Sequence, residues 1–485
     1  MTAAVGARTT DPAYHEYQAK RIRFWDNHAQ RRDTAPASYY HHRLEQVYRF
    51  LIPPRVSVIE LGSGNGDLLA TLDPKRGVGV DFSPTNVALA RERHPNLEFI
   101  EGDVHELELN EKFDYVILSD IANDLFDVQD VLLRVVDLCH PGTRVVLNVF
   151  NRLWHAPIAL GRALGLARPI LRQNWLSVPD LRNLLRIAGF EEISTSGQIL
   201  FPIRVPVLSE FLNRMIVKIW PFSRLALTHF IVARPDPFRH GGTVPKDASV
   251  SVVVPARNEA GHIEEILQRV PKMGSRTEIL FVEGNSTDDT AEVIRRVVDD
   301  LSDPDIRWYT QPGRGKGDAV RHGYGHATGE ILMILDADMT VAPEDLPRFF
   351  DAITSGAGEF VNGVRLVYPM EDEAMQFLNY LGNKMFGVTF TWLLGQPVKD
   401  TLCGTKVLTR ESYDLIAANR SYFGDFDPFG DFDLLFGAAK LNLKIVDIPI
   451  RYRQRRYGTT NIDRWRHGAL LLRMAVFAAR KLRFT

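Results

Sequence analysis

Residues 56–67 read VSVIELGSGNGD and join a short apolar run to three glycines at alternate positions. The apolar run predicts a buried strand over 56–61, and the residues after the glycines predict a helix over 67–72. Glycine lets the backbone turn tightly and approach a ligand where a Cβ atom would clash. The stretch therefore predicts a strand, a turn and a helix, with the turn lying against a bound molecule.

Three further strand-like runs follow this turn and point to the same kind of site. An acid about 20 residues beyond the first strand, at the end of the second, is typical of binding to ribose hydroxyls, and Asp81 lies there. Asp103 ends the third run in the same way. The sequence thus predicts a parallel α/β sheet with a nucleoside-containing cofactor at its carboxyl edge. The runs are GVGVDF (77–82), LEFIEGDV (97–104) and FDYVILSD (113–120).

The motifs ELGSGNG, VDFS and EGDV resemble, in order and spacing, the first three motifs of class I S-adenosylmethionine-dependent methyltransferases. The resemblance covers about residues 40–234 and implies a Rossmann-like domain. It further implies that the glycines hold the methionine part of S-adenosylmethionine, that Asp81 binds its ribose and that Asp103 binds its adenine amino group. An NAD site is disfavoured, because the turn lacks G-x-G-x-x-G spacing. The cofactor-binding residues implied are Glu60, Gly62, Gly64, Gly66, Asp81, Phe82, Asp103, Val104 and Ser119.

No motif indicates the methyl acceptor. Transfer to a hydroxyl group needs a general base beside the sulfonium, and each acid or histidine after the fourth strand also fits an ordinary structural role. Two hypotheses stay open, an O-methyltransferase and a module that binds the cofactor without turnover. The candidate bases are Asp120, Asp124, His140 and His155.

A second α/β unit is predicted after residues 235–248, which are rich in proline, glycine and charge and indicate a linker. This divides the chain into domains at 1–234 and 249–485. Asp336 and Asp338 follow a hydrophobic strand in the second domain. Two such carboxylates suit a hard divalent cation that keeps positions for phosphate oxygens.

The runs VVVPARNEAGHI, FVEGNSTDDT, GRGKGDAVRHG and ILDADM resemble the motifs of family 2 glycosyltransferases of the GT-A fold, over about 250–460. The resemblance implies Mg²⁺ or Mn²⁺ on Asp336 and Asp338 and a UDP- or GDP-hexose donor. The family usually reads V-D-D-G-S where this chain has VEGNS, so uridine and guanosine both stay open. The implied nucleotide-sugar site contains Pro255, Arg257, Glu259, Glu283, Lys316, Asp336, Ala337 and Asp338.

Two segments bear on the glycosyl acceptor. DTLCGTKVLTR (400–410) resembles the D-T-x-C-G-x-K segment of dolichyl- and polyprenyl-phosphate sugar transferases, which implies a lipid phosphate acceptor. The arginine-rich stretch 451–466 falls where those enzymes carry a basic segment, and a guanidinium suits bidentate phosphate contact. Arg453 and Arg456 are therefore predicted to act in catalysis by holding the acceptor.

The alternative acceptor is a sugar hydroxyl of a cell-surface glycan, which requires a base. GDFDPFGDFDL (424–434) places Asp431 where hydroxyl-using relatives carry that base, and Asp433 replaces the glutamate of the lipid-phosphate enzymes. Both are predicted catalytic residues, although either could cap the helix that follows.

Composition restricts the remaining possibilities. The chain has 485 residues, two cysteines and a net charge of −2, so we expect neither a disulfide framework nor a nucleic-acid partner. Neither a signal peptide nor an apolar run of about 18 residues is evident, so we expect a cytoplasmic protein. Residues 463–485 predict a basic amphipathic helix, which would either contact the inner face of the cell membrane or dock on the glycosyltransferase core.

Overall fold

The computed structural model describes residues 11–29, 38–163, 171–242, 244–368, 377–422, 431–453, 457 and 464–484. The chain divides into two compact units, Met1–His240 with Phe484–Thr485, and Gly241–Arg483. Each unit contains one seven-stranded sheet, so the two-domain α/β fold class is confirmed. The boundaries at 1–234 and 249–485 stay a prediction, and a short helix lies within the segment expected as a linker.

The first sheet has the strand order β3-β2-β1-β4-β5-β7-β6, in which β7 runs antiparallel to both of its neighbours. Its strands are β1 (Ser57–Leu61), β2 (Arg76–Asp81), β3 (Glu98–Glu101), β4 (Phe113–Leu118), β5 (Cys139–Phe150), β6 (Phe190–Ile199) and β7 (Thr228–Pro235). The helices are α1 (Pro12–Ala29), α2 (Ser38–Leu51), α3 (Asp67–Thr71), α4 (Pro84–Arg93), α5 (Val128–Val135), α6 (His155–Ala163), α7 (Val178–Ala188), α8 (Leu208–Arg214) and α9 (Pro237–His240).

Local sequence explains where these elements begin and end. The inner strands β1 and β4 are almost fully buried, as expected for parallel strands covered on both faces. The Ser83 side chain caps α4, accepting a hydrogen bond from the backbone of Asn86. A reciprocal capping pair, Ser177 and Asp180, begins α7, and Gly189 ends it in the left-handed conformation.

The second sheet has the order β10-β9-β8-β11-β13-β12-β14, with β13 antiparallel to β11 and β12. Its strands are β8 (Val250–Ala256), β9 (Thr277–Glu283), β10 (Ile306–Thr310), β11 (Ile331–Ile334), β12 (Phe360–Val364), β13 (Lys406–Thr409) and β14 (Ile445–Pro449). The helices are α10 (Ile263–Arg269), α11 (Thr290–Leu301), α12 (Lys316–His326), α13 (Leu346–Thr354), α14 (Phe377–Leu394), α15 (Arg410–Ala418), α16 (Asp431–Lys440) and α17 (Arg464–Ala478).

Both sheets open a crevice at the same topological position. In the first unit, β1 lies between β2 and β4, and in the second, β8 lies between β9 and β11. Such a central strand is a topological switch point, at which the strand order reverses and the chain connections run to opposite sides. Ligands bind there, outside the carboxyl ends of the strands. The glycine-rich turn follows β1, and the RNE segment follows β8.

The C-terminal helix α17 packs within the second unit, against α14. Leu471, Met474 and Ala478 are buried, whereas Arg473 and Arg480 are exposed. This is the docked arrangement that the sequence left as one of two alternatives, and the membrane contact of 463–485 stays a prediction. In the part of the chain that the structure describes, no helix combines the length and hydropathy needed to cross a bilayer.

Candidate active sites

The turn after β1 has a backbone that only glycine adopts without strain. Gly62, Gly64 and Gly66 have φ angles of 75°, 54° and 78°. A Cβ atom on Gly62 would lie 2.6 Å from Cδ1 of Ile121, and one on Gly66 would overlap the Phe99 ring. The turn is therefore held close to its surroundings and presents backbone rather than side chains to the crevice.

A cavity of about 710 Å³ lies beside this turn. Three of the predicted cofactor residues line it, Glu60, Gly62 and Ser119. The rest of the wall includes residues of α2 and of the segment containing α8, which no motif marks and which sequence reasoning missed. These added residues include Tyr39, His41, His42, Glu45, Arg204 and Glu210.

Asp81 ends β2 with its carboxylate held by the protein backbone. One oxygen accepts a hydrogen bond from Gly64 N at 2.9 Å, and the other accepts from Ser83 N at 2.9 Å. These bonds tie the end of β2 to the glycine turn and fix the orientation of the carboxylate. Phe82 follows it and is half-buried.

Asp103, after β3, is held mainly by its own loop and by α1. Its carboxylate accepts hydrogen bonds from His105 N at 2.9 Å and Gln18 Nε2 at 2.9 Å, and His105 Nδ1 lies 2.7 Å from it. Burial opposes ionisation of Asp103, but the bonds from His105 outweigh it and lower the pKa. The neighbouring Val104 is buried in the core, so its contribution to a ligand would come from its backbone.

Of the four candidate methyl-transfer bases, one lines the cavity. Asp120 lines the cavity, whereas Asp124 is bound by the Arg21 guanidinium and the Trp25 indole. His140 lies 3.1 Å from Asp114 Oδ1. His155, in α6, packs edge-on against the Trp175 ring, with centroids 4.7 Å apart. Neither histidine is among the residues that line the cavity.

Asp120 is held in an unusual conformation by a polar network. Its φ angle of 56° is left-handed, and Asn148 both donates to its carboxylate and accepts from its backbone N–H. Tyr40 Oη donates to Oδ1 of Asp120 at 2.9 Å. Burial and the Asp120 charge raise the pKa of Tyr40 well above its usual range, so the phenol stays protonated as a donor.

In the second unit, the turns after β8 and β9 are bonded to each other. Thr287 N donates to Asn258 Oδ1 at 2.8 Å, and Asn258 N donates to Ser286 Oγ at 3.1 Å. Glu283 accepts from Ser286 N at 2.6 Å, and Glu259 Oε2 lies 3.1 Å from His262 Nδ1. The structure therefore brings together the segments that carry the predicted nucleoside residues. Of these residues, Pro255 is half-buried, Arg257 is exposed, and Glu259 and Glu283 are buried.

The D-x-D segment follows β11 beside the start of α12. Lys316 Nζ lies 2.6 Å from Asp336 Oδ1, and Asp338 accepts from Thr340 N at 3.1 Å. Burial, followed by the Asp336 charge, raises the pKa of Asp338. Ala337 between them is buried in the core. No group of three or more potential metal-ligating side chains occurs among the described residues, so a cation here would take its other ligands from substrate or water.

The DTLCGTK segment packs directly against this pair. A Cβ atom on Gly404 would overlap both the Asp336 carboxylate and the Lys316 amine, so any larger residue would displace one of them. The segment is fixed at its start by Asp400, which pairs with Arg365 through contacts of 2.7 and 2.9 Å. At its end the buried Lys406 donates to Asn362 Oδ1 at 3.1 Å.

The predicted acceptor residues are only partly placed. Asp431 begins α16, and its side chain lies outside the described part of the structure. Asp433 is buried and accepts from Arg420 Nε at 2.9 Å. Arg453 donates its backbone N–H to Thr340 O at 3.0 Å, and Thr340 lies two residues after Asp338 of the D-x-D segment. Arg456 lies outside the described residues.

Comparison with known proteins assigns both units. A glycosyl transferase family 2 model matches residues 251–422, and a methyltransferase domain model matches 53–166. Glycosyltransferase AglJ of Haloferax volcanii is 30% identical over 232 residues, 47% of this chain and 71% of that protein. Undecaprenyl-phosphate 4-deoxy-4-formamido-L-arabinose transferase of Klebsiella pneumoniae is 25% identical over 222 residues, 44% of this chain. Dolichyl-phosphate beta-glucosyltransferase ALG5C of Trichomonas vaginalis is 29% identical over 230 residues, 43% of this chain. The chain spans 63% and 65% of the last two proteins, less than two thirds.

The fold, the two crevices and these matches define a two-domain transferase enzyme. Its first domain matches a methyltransferase domain model and has a Rossmann-like sheet, and its second has the GT-A fold. The chain belongs to glycosyl transferase family 2 through that second domain. Both family predictions are confirmed, and the roles of the individual site residues stay predictions.

Proposed function

We propose that the second domain transfers a hexose from UDP-hexose or GDP-hexose to the phosphate of a polyprenyl-like lipid. One observation carries this proposal. Gly404, within the segment that resembles lipid-phosphate sugar transferases, lies directly against Asp336 and Lys316. The names of two relatives, an undecaprenyl-phosphate and a dolichyl-phosphate sugar transferase, support the same acceptor class.

Asp336 and Asp338 would hold the divalent cation, Mg²⁺ or Mn²⁺. The raised pKa of Asp338 reflects burial and repulsion from its neighbour, and a bound cation would relieve both. The cation supplies charge neutralisation for the departing diphosphate. Lys316, already beside Asp336, would contact the same diphosphate.

The proposed reaction needs no general base. A phosphate oxygen of the acceptor attacks the anomeric carbon, the bond from that carbon to the donor phosphate breaks, and the nucleoside diphosphate leaves with the electron pair. The nucleophile is already an anion, so the protein must position it and offset its repulsion from the donor. Arg453 and Arg456 are proposed for this task, because the backbone of Arg453 is bonded beside the D-x-D segment.

A panel of nucleotide sugars with polyprenyl phosphate or the matching polyprenol tests this proposal. We expect product only with the phosphorylated lipid. Arg453→Ala should raise the KM for the acceptor about ten-fold or more while the KM for the donor stays unchanged, since one charge-assisted contact is lost. Equal weakening of donor binding would show instead that the arginine holds the nucleotide.

A glycan hydroxyl is the alternative acceptor, with Asp431 as the base. Its support is the position of Asp431 at the first residue of α16, while Asp433 is occupied by Arg420. Asp431→Asn distinguishes the two acceptors. A near-normal rate supports the phosphate, and loss of both transfer and donor hydrolysis supports the hydroxyl.

For the first domain we infer O-methylation of the same glycan or its lipid carrier, with Asp120 as the base. Asp120 lines the cavity together with Gly62 and Ser119, and Tyr40 orients its carboxylate. The acceptor oxygen would attack the methyl carbon of the sulfonium as the carbon–sulfur bond breaks, and its proton would pass to Asp120. A binding module without turnover is the alternative.

Calorimetry with S-adenosylmethionine, followed by a labelled-methyl assay on candidate glycans, tests the inference. Asp120→Asn should lower turnover by about 10²–10⁴-fold and leave cofactor affinity unchanged, as expected for loss of a base. His140→Gln is the control, because His140 does not line the cavity. Cofactor binding without methyl transfer to any acceptor would support the module.

A further inference from the structure

In helix α8 the buried side is polar and the exposed side is apolar, which is the reverse of an ordinary surface helix. Its buried residues, Ser209 and Asn213, are polar and lie one turn apart. Ser209 Oγ accepts from Val205 N at 2.6 Å and donates to Ile203 O at 2.7 Å. Asn213 Oδ1 accepts from two successive backbone N–H groups, both at 2.8 Å. The polar side of the helix is therefore the side that holds it to the protein.

The outward side is apolar. Leu208, Phe211 and Met215 lie at the i, i+3 and i+7 positions that share one helical face, and all three are exposed. The exposure continues beyond the helix, where Trp220 is 70% exposed. We define the apolar face as Leu208, Phe211, Met215, Ile219, Trp220 and Phe222. A soluble protein rarely leaves so many large apolar side chains together in water unless they meet another apolar surface.

Exposed large apolar side chains also occur elsewhere in the described part of the chain, but they are fewer in any one segment. Helix α17 exposes Leu472 and Val476 and turns Leu471, Met474 and Ala478 into the core of its unit. The concentration of exposed apolar side chains is therefore greatest in residues 201–227. In α8 the available polar anchors occupy the inside, which leaves the apolar side chains directed outward.

The charges around the apolar face select its occupant. Residues 201–227 contain four basic residues and one acid. The acid, Glu210, pairs with Arg214 at 2.7 Å, and Lys218 is buried and donates to Gln198. Arg204 and Arg224 are exposed on the same segment. Exposed aromatic and aliphatic side chains flanked by arginines are the composition of segments that lie in the interface of an anionic bilayer. Tryptophan in particular favours the headgroup level.

The same segment reaches the methyl-transfer cavity. Arg204 and Glu210 line the cavity beside Gly62 and Ser119. We propose that residues 201–227 dock the first domain on an anionic lipid surface, so that a membrane-anchored acceptor meets the cavity at the bilayer. The docking surface stands on the geometry alone, and only the nature of the acceptor rests on the function proposed above.

Vesicle binding by the full-length protein tests the docking surface. We expect co-sedimentation with phosphatidylcholine vesicles containing phosphatidylglycerol and weak binding to phosphatidylcholine alone. The triple variant Leu208→Ser/Phe211→Ser/Trp220→Ser should bind at least about ten-fold more weakly, because it removes three side chains that would enter the interface. All three are exposed, so the fold should persist, which unchanged S-adenosylmethionine affinity and donor hydrolysis would confirm.

Matched controls distinguish binding by the apolar face from non-specific binding of exposed apolar residues to vesicles. Phe238→Ser/Leu301→Ser/Val388→Ser changes three equally exposed apolar residues outside residues 201–227 and should bind vesicles like the wild type. The conservative variant Trp220→Phe should keep binding but lose part of the tryptophan quenching by brominated lipids. That loss would place residue 220 at the bilayer.

Three results would overturn the docking proposal. They are wild-type vesicle binding by the triple variant, equal loss in the control variant, and a dimer in lipid-free solution that the triple variant abolishes. The last would assign the apolar face to a second copy of the chain. Failure of methyl or glycosyl transfer with every acceptor would contradict the proposed function and leave the vesicle result unaffected.

Discussion

The acidic residues at the carboxyl edges of the two sheets are satisfied in different ways. In the first unit, Asp81 accepts two backbone N–H groups, and Asp103 accepts from His105 and Gln18. In the second unit, Asp338 accepts from Thr340 but is repelled by the Asp336 charge, and one lysine lies beside Asp336. The carboxylates of the first pair are each held by several hydrogen bonds, whereas the second pair places two carboxylates close enough for one to raise the pKa of the other.

This difference matches the chemistry proposed for each site. A carboxylate fixed by backbone donors can accept further hydrogen bonds from a ribose diol without rearrangement. Two carboxylates that repel each other gain most from a divalent cation, which neutralises both. The carboxylates of the first site are thus already oriented before a ligand binds, whereas the charges of the second pair would be neutralised only when a cation binds.

The largest expected effect comes from removing one of the repelling carboxylates. Asp338→Asn should lower glycosyl transfer by about 10³-fold, because the cation contributes several kcal/mol to the transition state. Titration with Mn²⁺ should show binding weakened in parallel. Asp345→Asn, a half-buried residue at the start of α13, should leave both quantities unchanged. Full activity of Asp338→Asn would remove the distinction between the two pairs.

Asp400 tests whether a buried carboxylate in the second unit can be neutralised by the protein itself, without a cation. It is fully buried and pairs with Arg365, whose charge outweighs burial and lowers the pKa of Asp400. Asp400→Asn should cost about 3–5 kcal/mol of unfolding free energy, because a buried guanidinium loses its counter-charge. Chemical denaturation measures this loss. A cost below about 1 kcal/mol, typical of an exposed pair, would contradict it.

A smaller effect is expected in the first unit. Asp81→Asn should weaken S-adenosylmethionine binding by about 10–100-fold, as expected for loss of a charged hydrogen-bond acceptor. Asp114→Asn is a matched control, since Asp114 also accepts a backbone N–H, from Ser57 at 2.8 Å, but lies at the start of β4 rather than at the carboxyl end of a strand. Calorimetry on both variants should show weakened affinity for Asp81→Asn alone.

Sequence reasoning found the parts of each site that a short motif encodes. The glycine turn, Asp81 and the D-x-D segment were identifiable because each combines a strand with a chemically unusual residue directly after it. Tyr40 and Arg204 carry no such signal, because segments distant in sequence bring Tyr40 to Asp120 and Arg204 to the cavity. The pairing of Arg420 with Asp433 carries no sequence signal either, since it depends on how the turn after α15 packs against α16.

The smallest predicted effect concerns pH and separates the two kinds of acid directly. The pKa of Asp400 is lowered in the folded state, so its stabilising contribution is present above about pH 3.9, the ordinary value, and is lost as the pH falls further. The pKa of Asp338 is raised, so its ionisation costs stability as the pH rises above that ordinary value.

A bound cation should reverse the second effect, because it binds the ionised carboxylates and competes with protons. Thermal melting with and without Mn²⁺ should therefore show a stabilisation of about a few degrees at pH 7 that shrinks toward pH 4. In Asp338→Asn the Mn²⁺-dependent shift should nearly vanish at every pH, whereas Asp81→Asn should retain it in full. An equal Mn²⁺ shift in all three proteins would place the cation elsewhere, and the contrast between the two strand-end pairs would then have no bearing on metal binding.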